Sequence, residues 1–437
     1  MAVRTKVGSF QVSTGVIGTV QSITGIGFNP IFVKFAVNGR TDAVNAIGNA
    51  SHQFGYGIAV NPNVTRNNFS IGSKSQDATG GVSNTASDAH ELRAINTILA
   101  ASNTGDGEFR VTAWNADGFD ITIDNQFASG VTIHYKAFTG NFSIENIVVT
   151  EPAVAGNVNM VFAKKPDHLF VLANPTGAFT SGIADDSRMM IGAASFRRNA
   201  IQQFVCSFGA NDNVNPTDTQ SFSRFDKFIA HLDTAFGANL TGQASITSIS
   251  GTTVVLNFDV VSGGGNREHL VYAITGEEWE VGNFDTVTAG NNIVVSGLGF
   301  RPEGIDFYSV TRGQDAANTP GSPDERVVGF VDSAGNQRSL AIEDSTGIAG
   351  TTRVSTAIQF DSIYASTNGA AGPAIDARIT YTSRQNNGFT LAQPTSDGAG
   401  RDIYYIAVGD SPVSAQVPTV NLQANRTQFG SPALRSF

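Results

Sequence analysis

Residues 23–35 read Ile-Thr-Gly-Ile-Gly-Phe-Asn-Pro-Ile-Phe-Val-Lys-Phe, and residues 295–307 read Val-Ser-Gly-Leu-Gly-Phe-Arg-Pro-Glu-Gly-Ile-Asp-Phe. Both carry Gly-x-Gly-Phe-x-Pro ahead of an alternating run. Gly25, Gly27, Gly297 and Gly299 can take positive φ or let backbone approach closely; Phe28 and Phe300 follow them. Pro30 and Pro302 hold the preceding residue extended and suit the start of an edge strand. Ile31-x-Val33-x-Phe35 and Ile305-x-Phe307 place apolar side chains on one sheet face. Between the two copies, residues 162–171 read Phe-Ala-Lys-Lys-Pro-Asp-His-Leu-Phe-Val, which lack the glycines but keep a proline and a strand. Pro30, Pro166 and Pro302 stand 136 residues apart in both steps.

Three further landmarks recur in the same order. A closing strand ends in glycine after Ile133-His-Tyr-Lys-Ala137-Phe-Thr, Leu270-Val-Tyr-Ala273-Ile-Thr and Ile403-Tyr404-Tyr405-Ile-Ala407-Val. A hairpin precedes each closing strand, with turn glycines at Gly118, Gly251 and Gly388; Asp-Gly and Asn-Gly between alternating runs are strong hairpin signals. Gly-rich strands lie at similar offsets: Gly55-Tyr-Gly-Ile-Ala59, Met190-Ile-Gly-Ala-Ala194 and Val328-Gly-Phe-Val331. This order implies an all-β chain of three tandem antiparallel β-sandwich, jelly-roll-like units of about 135 residues. The boundaries are 1–140, 141–276 (the most divergent) and 277–410, and an extended C-terminal arm occupies 411–437. With no Pro/Ser-rich or charged linker between units, neighbours are expected to touch and form a semi-rigid rod or plate.

Composition agrees. Val, Ile, Thr, Phe and Tyr are cut up by 47 glycines and by Asn, Asp and Ser, and runs of helix formers are missing. Net charge is −10, from 27 basic against 37 acidic residues, which disfavours nucleic acid as a partner. The one cysteine, Cys206, lies in an apolar run and reads as a buried, inert thiol. Neither a signal-peptide h-region nor a membrane-length apolar run is seen, so folding in a cytoplasm and no membrane partner are expected.

The Gly-x-Gly-Phe-x-Pro strand, the Phe54-Gly-Tyr-Gly-Ile-Ala59 strand, the Asp117-Gly118-Phe119 hairpin and the closing Tyr-x-Ala-x-Gly strand resemble repeat domains in structural proteins of tailed bacteriophages. The likeness covers units one and three, and unit two in outline. It implies a virion component displayed on a capsid or tail surface, a decoration, collar or fibre-type protein, and a homo-oligomer, by analogy a trimer, in contact with other virion proteins. The hairpin and closing strand are also similar to small trimeric β-sandwich lectins, which implies a host-surface glycan as the alternative partner.

The residues point away from catalysis. His52, His90, His134, His168, His231 and His269 show no His-Glu-x-x-His spacing and read as structural. Gly25-Ile-Gly27-Phe-Asn-Pro30 has phosphate-loop glycine spacing but leads into a strand, whereas a dinucleotide fingerprint must open a helix. Asp106-Gly-Glu108, Asp185-Asp186 and Asp324-Glu325 read as solvated turn carboxylates without EF-hand spacing. No catalytic residue, metal ligand or cofactor is expected. Trp114, Trp279, Tyr404 and Tyr405 are candidates for packing or for stacking on a sugar, with Trp279 assigned to packing between units two and three.

Overall fold

The computed structural model describes residues 2–410 apart from 50–51, 62–63, 77–84, 99–103, 175–178, 180–181, 198–199, 212–217, 234–238, 263–265, 311–312, 314, 316–319, 322–323, 346–353, 369–372 and 397. The expected arm, 411–437, lies outside the described residues. Among those residues there is no α-helix, and the chain is all-β. One plan of two antiparallel sheets recurs three times.

In the first unit the larger sheet runs, in spatial order, Arg4–Gln11, Thr132–Thr139, Phe32–Val37, His52–Val60, Asn68–Ser75 and Thr85–Glu91. The smaller runs Val20–Thr24, Gly118–Asn125, Gly105–Asn115 and Ile95–Ile98. The second repeats it with Ser143–Thr150, Glu268–Thr275, His168–Ala173, Ser187–Ser195, Gln202–Ala210 and Thr219–Arg224, faced by Gly156–Val161, Thr253–Val260, Leu240–Ser250 and Ile229–Leu232. The third has Glu278–Asp285, Asp402–Gly409, Pro302–Ser309, Asp324–Asp332, Gln337–Asp344 and Val354–Gln359, faced by Asn292–Ser296, Gly388–Thr395, Ala374–Gln385 and Tyr364–Asn368. In each larger sheet the closing strand is inserted between the opening and proline-led strands, and the remaining strands follow in chain order.

The register fixes equivalence residue by residue. Ala137, Ala273 and Ala407 pair on one side with Lys6, Glu145 and Glu280, and on the other with Val33, Leu169 and Ile305. Closing and proline-led strands are therefore central, and the expected edge position for the prolines is corrected. Pro302 pairs with Gly409 at the first residue of its strand, where the missing N–H costs least.

Odd residues of Phe32–Val37 and Thr132–Thr139 (Val33, Phe35, Val37, Ile133, Tyr135, Ala137) pack on the smaller sheet in a unit core. Units two and three have matching cores. Even residues of the same strands are buried too, on the other face: Phe32, Ala36 and Phe138 join Phe170, Leu172, Tyr272, Tyr308, Tyr404 and Val408 in one core shared by all three units. Strands buried on both faces read as nearly unbroken apolar runs.

This second buried face corrects the rod or plate. A row would leave the outer faces of its end units in water; a closed ring covers all three. The ring is laced by strand exchange. Ala46–Asn49 of unit one pairs with Val354–Gln359 of unit three. Ala184–Asp185 of unit two pairs with Thr85–Glu91 of unit one. Gly321 of unit three bridges Ser221 of unit two. Each unit thus extends its neighbour's larger sheet in a cyclic order, and the cycle closes where the Val3 N–H donates to the Asp410 carboxylate.

Candidate functional site

The feature with most chemistry is the pseudo-threefold centre. The registers make Lys34, Phe170 and Asp306 equivalent: they pair with Lys136, Tyr272 and Ile406, each one residue before the closing-strand alanine. The Lys34 ammonium donates to Asp306 Oδ2 at 2.6 Å, and Lys136 donates to Asp306 Oδ1 at 2.6 Å. All three side chains are at most 1% exposed. Lys34 Nζ also sits 4.2 Å from the Phe170 ring centre, with the rings of Phe32 and Phe138 beyond. Burial pulls both lysines below the ordinary amine range, Lys136 to about 8, while the two ammonium groups hold the Asp306 carboxyl below the usual carboxylate range despite its burial. Two unit-one cations thus share one unit-three anion, in a ring whose third position is aromatic.

A second equivalent set is Phe54, Met189 and Arg326. Arg326 of unit three reaches across to Phe54 and Phe208, 5.4 and 5.3 Å from their ring centres, and donates to Ser73 Oγ at 2.8 Å. Tyr56 and Tyr308 hydroxyls meet at 2.8 Å. Trp279 is stacked on His168 at 4.9 Å and packs on Phe138 and Phe142, so it touches units one and two from unit three. Cys206 is buried in the same core.

The landmark glycines act in pairs with the hairpins. Gly25, Gly27, Gly297 and Gly299 all have positive φ. The Asp117 carboxylate, in the turn before Gly118, accepts the Gly25 and Gly27 N–H groups; the Asn387 side-chain oxygen accepts the Gly299 N–H. Phe28 and Phe300 then fall into their unit cores. In unit two the turn is Gly251-Thr252, so Gly251 opens its turn while Gly118 and Gly388 follow theirs. Its strand entry, just before Pro166, is held instead by Glu145, which accepts the Ala163 N–H at 2.9 Å.

Of the two roles open to the aromatic candidates, packing or sugar stacking, burial gives packing to three. Trp279 and Tyr404 are buried in the central core and Tyr405 in the unit-three core; Trp114 alone of the four stays half-buried. The acidic clusters change place as well. Asp106 is buried in a strand, accepts the Ala128 N–H and has its pKa raised by burial. Glu325 faces Arg401 at 3.7 Å. Among the described residues no group of three His, Cys, Asp or Glu side chains is placed to hold a metal ion. His134, His231 and His269 have partners inside the fold: His134 packs on Phe360 of unit three, and His231 and His269 meet Nε2 to Nε2 at 2.6 Å inside unit two, with His269 Nδ1 on the Val149 carbonyl. An open cleft of about 240 Å³ lies between units one and two, lined by Asp88, His90, Thr97, Glu108 and Ile183 among others.

Sequence reading missed Lys34, Lys136, Asp306 and Arg326. Their signal was there: single charges set inside strong apolar runs, as in Phe32-Val-Lys-Phe-Ala-Val37. No protein-family model matches the chain, and no curated protein matches it at a significant level.

Proposed function

We propose that the chain is a non-enzymatic structural component of a tailed-phage virion, carried on the capsid or tail surface as a decoration, collar or fibre-type protein. The observation that carries this reading is the closed three-unit ring, in which Lys34, Lys136, Asp306, Arg326 and Trp279 are buried at contacts between units. It joins the sequence resemblance to phage repeat domains. The outer faces of the larger sheets are consumed inside the ring. What remains for copies of the chain and other virion proteins is the outer rim. There the smaller sheets end in the edge strands Val20–Thr24, Gly156–Val161 and Asn292–Ser296. Each presents one outward valine: Val20, Val161 and Val294, 59%, 62% and 60% exposed. Exposed edges with apolar side chains favour strand addition by a neighbour.

The glycan reading loses three of its four aromatic residues to the cores, and no observation favours it. Electron microscopy of particles labelled with antibody against this chain tests the proposal: label at a fixed position on every particle is expected, and purified particles free of the chain refute it. Light scattering on the purified chain tests self-association; a monomer at all concentrations overturns the homo-oligomer and leaves only heterologous virion contacts.

A further inference from the structure

The ring has two covalent junctions and one open one. Units one and two, and units two and three, are joined through the backbone at Gly140-Asn141 and Gly276-Glu277. Among the described residues, units three and one meet through side chains, sheet pairing and the Val3–Asp410 contact. The buried Lys34, Lys136 and Asp306 lie at that open junction, with both amines from unit one and the carboxyl from unit three.

We propose that Lys34 and Asp306 condense to an isopeptide bond that closes the ring covalently, with Lys136 as the proton-shuttling group. Three observations carry this. The amine and carboxyl are already held in contact: a nitrogen 2.6 Å from a carboxyl oxygen lies within about 3–3.5 Å of its carbon, the separation of a near-attack arrangement. The site excludes water, because all three groups are buried and the rings of Phe32, Phe138 and Phe170 flank Lys34. A second ionisable group touches the other carboxyl oxygen, Lys136 on Oδ1, which is the position needed to protonate a departing oxygen.

The step balances without any co-reactant. A proton moves from the Lys34 ammonium to Asp306, leaving a neutral amine beside a carboxylic acid. The amine lone pair attacks Cγ and forms the C–N bond. Lys136 gives a proton to the hydroxyl that leaves from Cγ as water, then takes one from the new nitrogen and is restored. No atom is oxidised or reduced. Two buried charges become one neutral amide, which relieves the desolvation penalty of the Lys34–Asp306 pair; Lys136 keeps the amide oxygen as its acceptor and, with its counter-ion gone, is pushed toward the neutral amine.

The test is mass spectrometry of the purified full-length chain. The denatured wild-type protein is expected to weigh one water less than its sequence, and its digest to yield a branched peptide joining Lys34 to Asp306. The Lys34→Arg and Asp306→Ala proteins are expected at full mass, and Lys136→Met at full mass or partly converted. A wild-type chain at full mass, with linear peptides recovered across both residues, overturns the proposal. A branch through Lys136 overturns the assignment of nucleophile. The primary reading needs no variant to fold, and it is independent of whether the protein belongs to a virion.

Discussion

Gly57, Gly192 and Gly329 are register equivalents in the second landmark strand of their units, and replacing each by alanine tests the repeat directly. A Cβ at Gly57 would lie 1.9 Å from the Ala94 carbonyl oxygen, at Gly192 2.2 Å from that of Phe228, and at Gly329 1.8 Å from that of Ile363. Real Cβ contacts essentially never fall under 3.0 Å, so the shortfalls are 3.0 − 1.9 = 1.1, 3.0 − 2.2 = 0.8 and 3.0 − 1.8 = 1.2 Å. The obstacle is backbone just before the last strand of the smaller sheet, so alanine must part the two sheets. Overpacking of this kind costs about 3 kcal/mol. Were the space open, alanine would instead stabilise by about 0.4–1 kcal/mol through the unfolded chain, so the sign alone decides. If the shared core makes the whole chain of 437 residues melt as one, an unfolding entropy of about 2.1 cal/mol/K per residue converts 3 kcal/mol into a drop of about 3 °C. A unit of about 135 residues melting alone would drop by about 10 °C. Differential scanning calorimetry of the three variants reads both quantities. The expected result is one transition shifted down by a similar small amount in all three, least for Gly192→Ala. An unshifted or raised midpoint in any of them refutes the close sheet contact, and a large drop confined to one of several transitions refutes the cooperative ring.

Asp117→Ala strips the acceptor from two loop N–H groups and is expected to cost about 1 kcal/mol. Asn387→Ala strips it from one, the Gly299 N–H, and should destabilise by less, and Thr252→Ala not at all, as read from urea midpoints; equal effects at all three would contradict the loop-locking role. His134 and His168 are lowered to about 3 and His269 to about 4, in each case chiefly by burial. Between those values and the ordinary 6.5 the unfolded chain binds more protons than the folded one. Their stabilising contribution is therefore complete above pH 6.5 and is lost as pH falls toward 4, by an amount on the order of a few kcal/mol per histidine; a urea midpoint that stays flat from pH 7 to 4.5 would disprove it. A circular permutant opened at Gly140-Asn141, with a short linker joining Asp410 to Val3, should fold with an unchanged circular dichroism spectrum, since those residues already touch; an aggregating permutant would count against ring closure.

The fold was legible where a backbone demand leaves a residue no choice. Positive φ at Gly25, Gly27, Gly297 and Gly299, the hairpin turns, and alternation in the proline-led strands all reached the page from sequence. The ring was not legible by the same route, because alternation reports one buried face and is silent on the other. Lys34 falls on the face that the alternation leaves unassigned, although it is as buried as Val33 and Phe35. Aromatic residues were half legible: Trp279 sits at a junction between units in the sequence itself, whereas Tyr404 and Tyr405 have the amphipathic character of a sugar platform, and only burial assigns one to the shared core and the other to the unit-three core. Asp106 looked like a turn carboxylate because glycine flanks it on both sides, whereas Gly107 is there to make room for the Phe127 ring, 2.1 Å from where a Cβ would stand.

The divergence of unit two has a single physical cause rather than two. It lacks both the Gly-x-Gly loop and the Asp-Gly turn, and in units one and three the turn side chain is what ties down the loop amides. Without a carboxylate or carboxamide at the turn, a loop with positive φ at both glycines would have unpaired N–H groups and no reason to persist. Unit two meets the same need from the opposite side, through Glu145 on its opening strand. The prolines keep their spacing because strand register is constrained elsewhere: a one-residue slip in His168–Ala173 would swap Phe170 and Leu172, which face the shared core, with Leu169 and Val171, which face the smaller sheet. Loop chemistry in each unit is therefore free to change as long as both faces of its larger sheet stay aimed at their two cores, which is why the repeat survives as spacing where it fails as sequence.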